Sequence, residues 1–314
     1  MSRGSGASRR GETYRPPAPR LYARTRILAP MDTTAPDTVS APLLAALFGL
    51  ALTACTGDGD VPSPDAAGTA KTPATGALEI GARALQDTAP VEALDIHLVG
   101  FHPMKDAPHM QMEAHHFCRQ VNEEFAQCAL FDGTGTDANL TGVEYIISEA
   151  VFAQLPEEER AYWHPHNAEI LSGQLVAPGL PHAAEHALMR RKINSYGKTW
   201  HTWHSRDGLE PGDRLPLGPA MLAWSFNRDG ELDPALLAER DRRMDIDTAK
   251  LRESRQDLRE HARPQWGVDL LKEHFPGATE IPGVSDAGQS ATPASAAAPA
   301  PVPVPQPEQT PGAD

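Results

Sequence analysis

The chain has 314 residues, 30 of them proline and 25 glycine, so much of its length lies outside packed structure and one domain is expected rather than two. Its net charge is −14, and the first 30 residues carry seven arginines against a single acid, which leaves the remainder more acidic still. That balance excludes nucleic acid as a partner, and three cysteines are too few for a disulfide framework.

The first feature in chain order is the apolar run at residues 41–54, APLLAALFGLALTA. As a helix it would span about 21 Å at roughly 1.5 Å per residue, short of a bilayer core of about 30 Å. It ends in small residues at Leu52-Thr53-Ala54-Cys55, as a secretory signal peptide does. This ending resembles the lipobox of bacterial lipoproteins, and the resemblance implies cleavage before Cys55 and a diacylglycerol on its thiol. Thr56 stands where an aspartate would signal inner-membrane retention, so the expected location is the cell envelope, at the outer membrane facing the periplasm. Residues 1–54 therefore read as a signal peptide region. Residues 55–90, rich in Gly, Ala, Pro, Thr and Asp, read as a disordered tether. From Cys55 onward 21 bases face 39 acids, a surface that favours solubility over anionic lipid heads, so the membrane is expected as a partner through the anchor.

All five tryptophans and all 13 histidines fall between Leu94 and Phe275, so residues 91–275 read as the folded part: a single compact α+β domain with short strands and about three helices. Strands are expected at 115–118, 127–131, 142–147, 170–176 and 198–204. A first helix is expected from Leu155-Pro156, with three glutamates in its opening turn, to near Trp163. A second starts at Pro181 and ends with Arg190, Arg191 and Lys192 before Gly197. A third starts at Asp233-Pro234 and runs to about His261, with Leu237, Met244, Leu251 and Leu258 spaced by seven. Residues 276–314 are Pro/Ala-rich and read as a disordered tail.

Several motifs within this region, taken in order, resemble the oil body-associated protein family. They are Glu-Ala-His-His-Phe-Cys (113–118), Val-Asn-Glu-Glu-Phe-Ala-Gln-Cys (121–128), Gly-Val-Glu-Tyr-Ile-Ile-Ser (142–148), Leu-Pro-Glu-Glu-Glu-Arg (155–160), Trp-His-Pro-His (163–166), Tyr-Gly-Lys-Thr-Trp-His-Thr-Trp (196–203) and Leu-Pro-Leu-Gly (215–218). The resemblance covers roughly residues 101–232 and implies a lipid-associated role, in plants at seed oil bodies, without supplying catalytic residues.

Three histidine pairs are closely spaced: His115/His116, His164/His166 and His201/His204. On a strand, residues two apart share a face, so His164 and His166 can offer two imidazoles to a divalent metal such as zinc, iron or manganese, with Glu169 as a carboxylate ligand and Cys118 or His116 completing the shell. Histidines hydrogen-bonded in a polar core are the alternative. The run His164-x-His166-x-x-Glu169-x-x-x-Gly173 followed by Pro178-Gly179-x-x-His182 also resembles the two cupin motifs, with shorter gaps. Cys118 and Cys128 can form a disulfide or remain a structural thiol pair. The leading expectation is a lipid-anchored, noncatalytic envelope protein whose domain binds a partner, a lipid or a small apolar ligand; the rival is a metal-dependent enzyme using His164, His166 and Glu169.

Overall fold

The computed structural model describes residues 64–288, so Cys55, the apolar run before it and most of the Pro/Ala-rich tail lie outside the described residues. The first described helix, α1 (Pro73–Leu85), is capped by the Thr72 hydroxyl, which accepts from the Thr75 N–H at 3.2 Å. It falls inside the stretch read as a tether. A short α2 (Ala89–Glu92) leads into four consecutive antiparallel strands: β1 (Ile96–Met104), β2 (Ala107–Asn122), β3 (Phe125–Phe131) and β4 (Leu140–Ile147). Then follow α3 (Glu149–Phe152), α4 (Glu157–Arg160), β5 (His164–Pro165), α5 (Asn167–Ser172), α6 (His182–Lys192) and β6 (Tyr196–His201). The rest of the chain contributes the ribbon β7 (Arg206–Asp207) and β8 (Glu210–Pro211), then β9 (Met221–Leu222), β10 (Arg228–Asp229), α7 (Pro234–Met244), α8 (Thr248–Ser254) and β11 (Thr279–Glu280). The last pairs with β10 and lies inside the stretch read as tail.

The α+β class stands, with a correction of proportion. One sheet, ordered β1-β2-β3-β4-β6-β5 with β9 beside β6, dominates the domain, and β2 alone runs 16 residues. The sheet curls on itself. Lys105 N–H donates to Leu222 O at 2.9 Å and Trp224 N–H to Pro103 O at 2.8 Å, while Ala223 N–H donates to Thr199 O at 3.0 Å. The segment 222–224 thus bridges β1 to β6 and closes one end of a half-barrel.

Two of the expected elements differ for identifiable reasons. Residues 170–176 are not a strand: Ile170 and Leu171 sit in α5, which Gly173 ends in the left-handed conformation at φ 82°. The third expected helix breaks at Asp245, a left-handed residue at φ 51°, and Asp247 then caps α8 by accepting from Lys250 N–H. Instead of about three helices there are eight α-helices among the described residues, five of them of four to seven residues.

The concave face of the sheet supplies Leu98, Cys118, Cys128, Leu130 and Ile146 to a core shared with Ile170, Leu171, Met189 and Leu258. Its opposite face at β1 buries Phe101 against Phe226, Leu232 and Leu236. Two arginines are fully buried between the helices. Arg255 donates to Ile170 O at 2.8 Å and Leu175 O at 2.9 Å and pairs with Glu185. Arg240 donates to Gln174 O at 2.9 Å. Charge-assisted bonds to backbone carbonyls fix that backbone firmly, and here they fix the turn that follows α5. No helix among the described residues is long and apolar enough to cross a membrane.

Candidate metal centre

Strand parity places the site. On β4, Val143 and Tyr145 face outward, so Gly142, Glu144 and Ile146 face into the half-barrel, and Glu144 is 2 % exposed. On β1 and β2 the same face carries His102 and His116. β5 brings His164 beside Gly197 of β6, and the chain then turns into α5, so that His166 precedes its first turn and Glu169 lies in it. Every one of these side chains is buried.

Their donor atoms converge on Glu144. Its Oε2 lies 2.8 Å from His116 Nε2 and 3.9 Å from His102 Nε2; its Oε1 lies 3.2 Å from His166 Nε2 and 3.8 Å from His164 Nε2. His164 Nε2 and His166 Nε2 are 3.2 Å apart, and Glu169 Oε2 is 4.0 Å from His166 Nε2. Ligands around a tetrahedral ion bound at about 2.0–2.1 Å lie roughly 3.3 Å apart, inside the 2.8 to 4.0 Å range of these separations. A cavity of about 20 Å³ is bounded by His102, His116, Glu144, His166 and Glu169, with Leu98, Ile146 and Leu175 as an apolar wall and Lys192 at its edge. It holds one water-sized species. Gly197 makes room for the cluster: a Cβ there would come within 2.6 Å of His166 Nε2 and 2.7 Å of His164 Cε1, and closer still to Glu144 Oε1.

Hydrogen bonds behind the ring set its tautomer. The Ser195 hydroxyl donates to Lys192 O at 2.7 Å, so at 2.8 Å it accepts from His166 Nδ1–H. A neutral His166 therefore carries its lone pair on Nε2 and aims it at the Glu144 carboxylate. Two lone pairs at 3.2 Å repel unless a proton or a cation stands between them. His102 is held from behind by His201, its Nδ1 lying 3.0 Å from His201 Nε2.

The electrostatics match a cation site. Burial, then the charge of His166, pushes His164 down to about 3. Burial, then the charges of His204 and His116, pushes His201 down to about 3. Burial and His116 also depress His102. These rings stay neutral, with lone pairs available to a metal. Burial works to raise Glu144, but His116, by charge and hydrogen bond, and His166 and His164 outweigh it and hold the carboxyl well below the usual range. Glu169 is raised well above it by burial and then by the charge of Glu144.

Of the residues singled out in the sequence, His116, His164, His166 and Glu169 come together. The others do not join them. His115 points to the opposite face of β2, its Nε2 3.0 Å from Glu113 Oε1. Cys118 is disulfide-bonded to Cys128, its partner in register across β2 and β3. His201 backs His102 from behind, and His204 lies beyond the end of β6, half-buried beside Asp213 and Asp207. His182, the last position of the cupin-like run, starts α6, where its ring neighbours His186. Sequence reasoning missed Glu144 and His102. For Glu144 a signal existed, because a carboxylate stood in phase with Ile146 on the buried parity of an alternating strand.

A curled antiparallel sheet backed by short helices, enclosing four imidazoles and two carboxylates, defines an α+β domain with a buried polar centre. The chain belongs to the family described as "Protein of unknown function (DUF1264)", whose profile matches residues 88–259. It is similar to oil body-associated protein 1A of Zea mays, 38% identical over 197 residues, covering 63% of this chain and 80% of that protein. Oil body-associated protein 1B of Arabidopsis thaliana is 36% identical over 197 residues, covering 63% and 79%. Oil body-associated protein 2A of Zea mays is 36% identical over 209 residues, covering 66% and 81%. No solved structure matches the chain.

Proposed function

We propose that this chain is a metal-binding member of its family, in which a transition-metal ion held by Glu144, His164 and His166, with Glu169 beside them, organises the domain. The observation that carries the reading is the convergence of His164 Nε2 and His166 Nε2, 3.2 Å apart, on Glu144 Oε1, with the Ser195 hydroxyl behind His166 Nδ1. Imidazole-rich donor sets suit zinc and iron better than calcium or magnesium. The cavity of about 20 Å³ admits water and excludes an organic substrate, which supports a noncatalytic role over a cupin-like enzyme. Elemental analysis of the purified protein tests this. Stoichiometric zinc, iron or manganese, lost in His166→Ala, is the expected result; a folded protein free of all three under metal-replete conditions overturns it.

The same proposal sets the domain at a lipid or membrane surface. Its supports are the lipobox-like Leu52-Thr53-Ala54-Cys55 and the oil body association carried in the names of its relatives. Mass spectrometry of the mature N-terminus checks the anchor: a diacylated Cys55 is expected, and an unmodified one removes it.

A further inference from the structure

We infer that the centre holds two cations rather than one, bridged by Glu144. The inference rests on the metal-binding reading above and extends it to a second site. The two oxygens of Glu144 face different imidazoles: Oε1 faces His166 at 3.2 Å and His164 at 3.8 Å, and Oε2 faces His116 at 2.8 Å and His102 at 3.9 Å. Two donor sets follow, each with its ligating atoms within 4.8 Å of one another: Glu144, His164 and His166 in one, Glu144, His102 and His116 in the other. Two ligands of one ion lie at most about 4.2 Å apart when each is bound at about 2.1 Å. Among the described residues no set, even at the wider spread, unites His116 with His164 or His166. One ion therefore leaves part of the imidazole ring set unused, while two ions use all of it.

Glu169 completes the pattern. A third set joins it to His102 and His164, one imidazole from each of the other two, so its carboxylate lies beside the gap from the helix side. Each ion then receives two imidazole nitrogens and one oxygen of Glu144, with Glu169 beside the pair. Paired ions in carboxylate-bridged centres stand about 3.5–4 Å apart, a span that one carboxylate covers. Two divalent ions against two carboxylates leave two positive charges beside the cavity lined by His102, His116, Glu144, His166 and Glu169. The class is thus a dinuclear transition-metal centre.

Metal counting on the full-length protein tests it, using zinc alone for stoichiometry and manganese(II) alone for electron paramagnetic resonance. Two zinc ions per chain are expected, with the exchange-coupled spectrum of paired manganese at saturation. His116→Ala should retain one ion and convert the coupled spectrum into the six-line signal of an isolated ion. One zinc per chain in the unaltered protein, with only the isolated signal, overturns the second site and leaves the single-ion reading standing; no bound metal overturns both. Should His116→Ala fail to fold, the stoichiometry and spectrum of the unaltered chain decide the matter alone.

Discussion

Arg255 and Glu185 meet as a fully buried ion pair that ties α6 to the turn after α5, with the arginine also donating to Ile170 O and Leu175 O. Removing one partner of such a pair strands the other in the core, which costs about 3–5 kcal/mol. Arg255→Ala is therefore expected to lower unfolding free energy by about that much in urea titrations. A loss below about 1 kcal/mol would show that the pair holds nothing in place.

Ser195→Ala should act on the ion rather than on the fold. The hydroxyl touches His166 and Lys192 O and no other group of the cluster, and deleting a partner behind a metal-bound imidazole typically weakens binding about 10–100-fold. Competition against a chelator measures the change; an unaltered affinity would mean that His166 is not held as a ligand by Ser195.

At position 197 the added methyl group of Gly197→Ala would occupy the space between Glu144, His164 and His166. Metal content should fall to background while the sheet's circular dichroism persists. Full occupancy in this variant is the result that contradicts the assigned location.

Acid should destabilise the metal-free protein. His164 and His201 are depressed to about 3, and His102 is depressed as well. The unfolded chain takes up these protons near pH 6.5 and the folded chain does not. Stability therefore rises with pH across the window from about 3 to 6.5, by about 1.4 kcal/mol per pH unit for each ring. Glu169 works in the opposite sense above about pH 4.5, where it ionises on unfolding, and offsets one ring of the three. Denaturant midpoints between pH 4 and 7 should climb with pH after chelation, and a flat or falling profile speaks against neutral buried rings.

The Cys118–Cys128 bond closes a short loop, with a sequence separation of 10, and constrains the unfolded chain by about 2–4 kcal/mol. The double variant Cys118→Ala, Cys128→Ala should lose about that much stability and keep its metal, since neither sulfur belongs to a donor set. Loss of the metal together with the bond would place Cys118 in the coordination shell after all.

Local signals carried some of this architecture and hid the rest. Pro181, the basic last turn and Asp233-Pro234 marked α6 and the start of α7 because caps and charges act within one helical turn. β1 left no period to read: seven consecutive residues from Leu98 to Met104 are buried, on both faces, and Gly100 and Pro103 interrupt the run. For the same reason His102 was invisible as a ligand. His164, His166 and Glu169 were readable because six residues of sequence hold all three. Glu144 reaches them only through the pairing of β4 with β6 and β6 with β5, a relationship that spacing along the chain does not encode.

The half-barrel that residues 222–224 close at one end buries the cluster, with each of its six donor residues at most 4 % exposed. An ion held among them is shielded from bulk water, so its departure waits for a local opening of the surrounding shell. Isotope exchange of the bound metal would then run at the pace of that local opening and ignore the concentration of free ion outside, making residence time a property of the surrounding shell and not of the ligands.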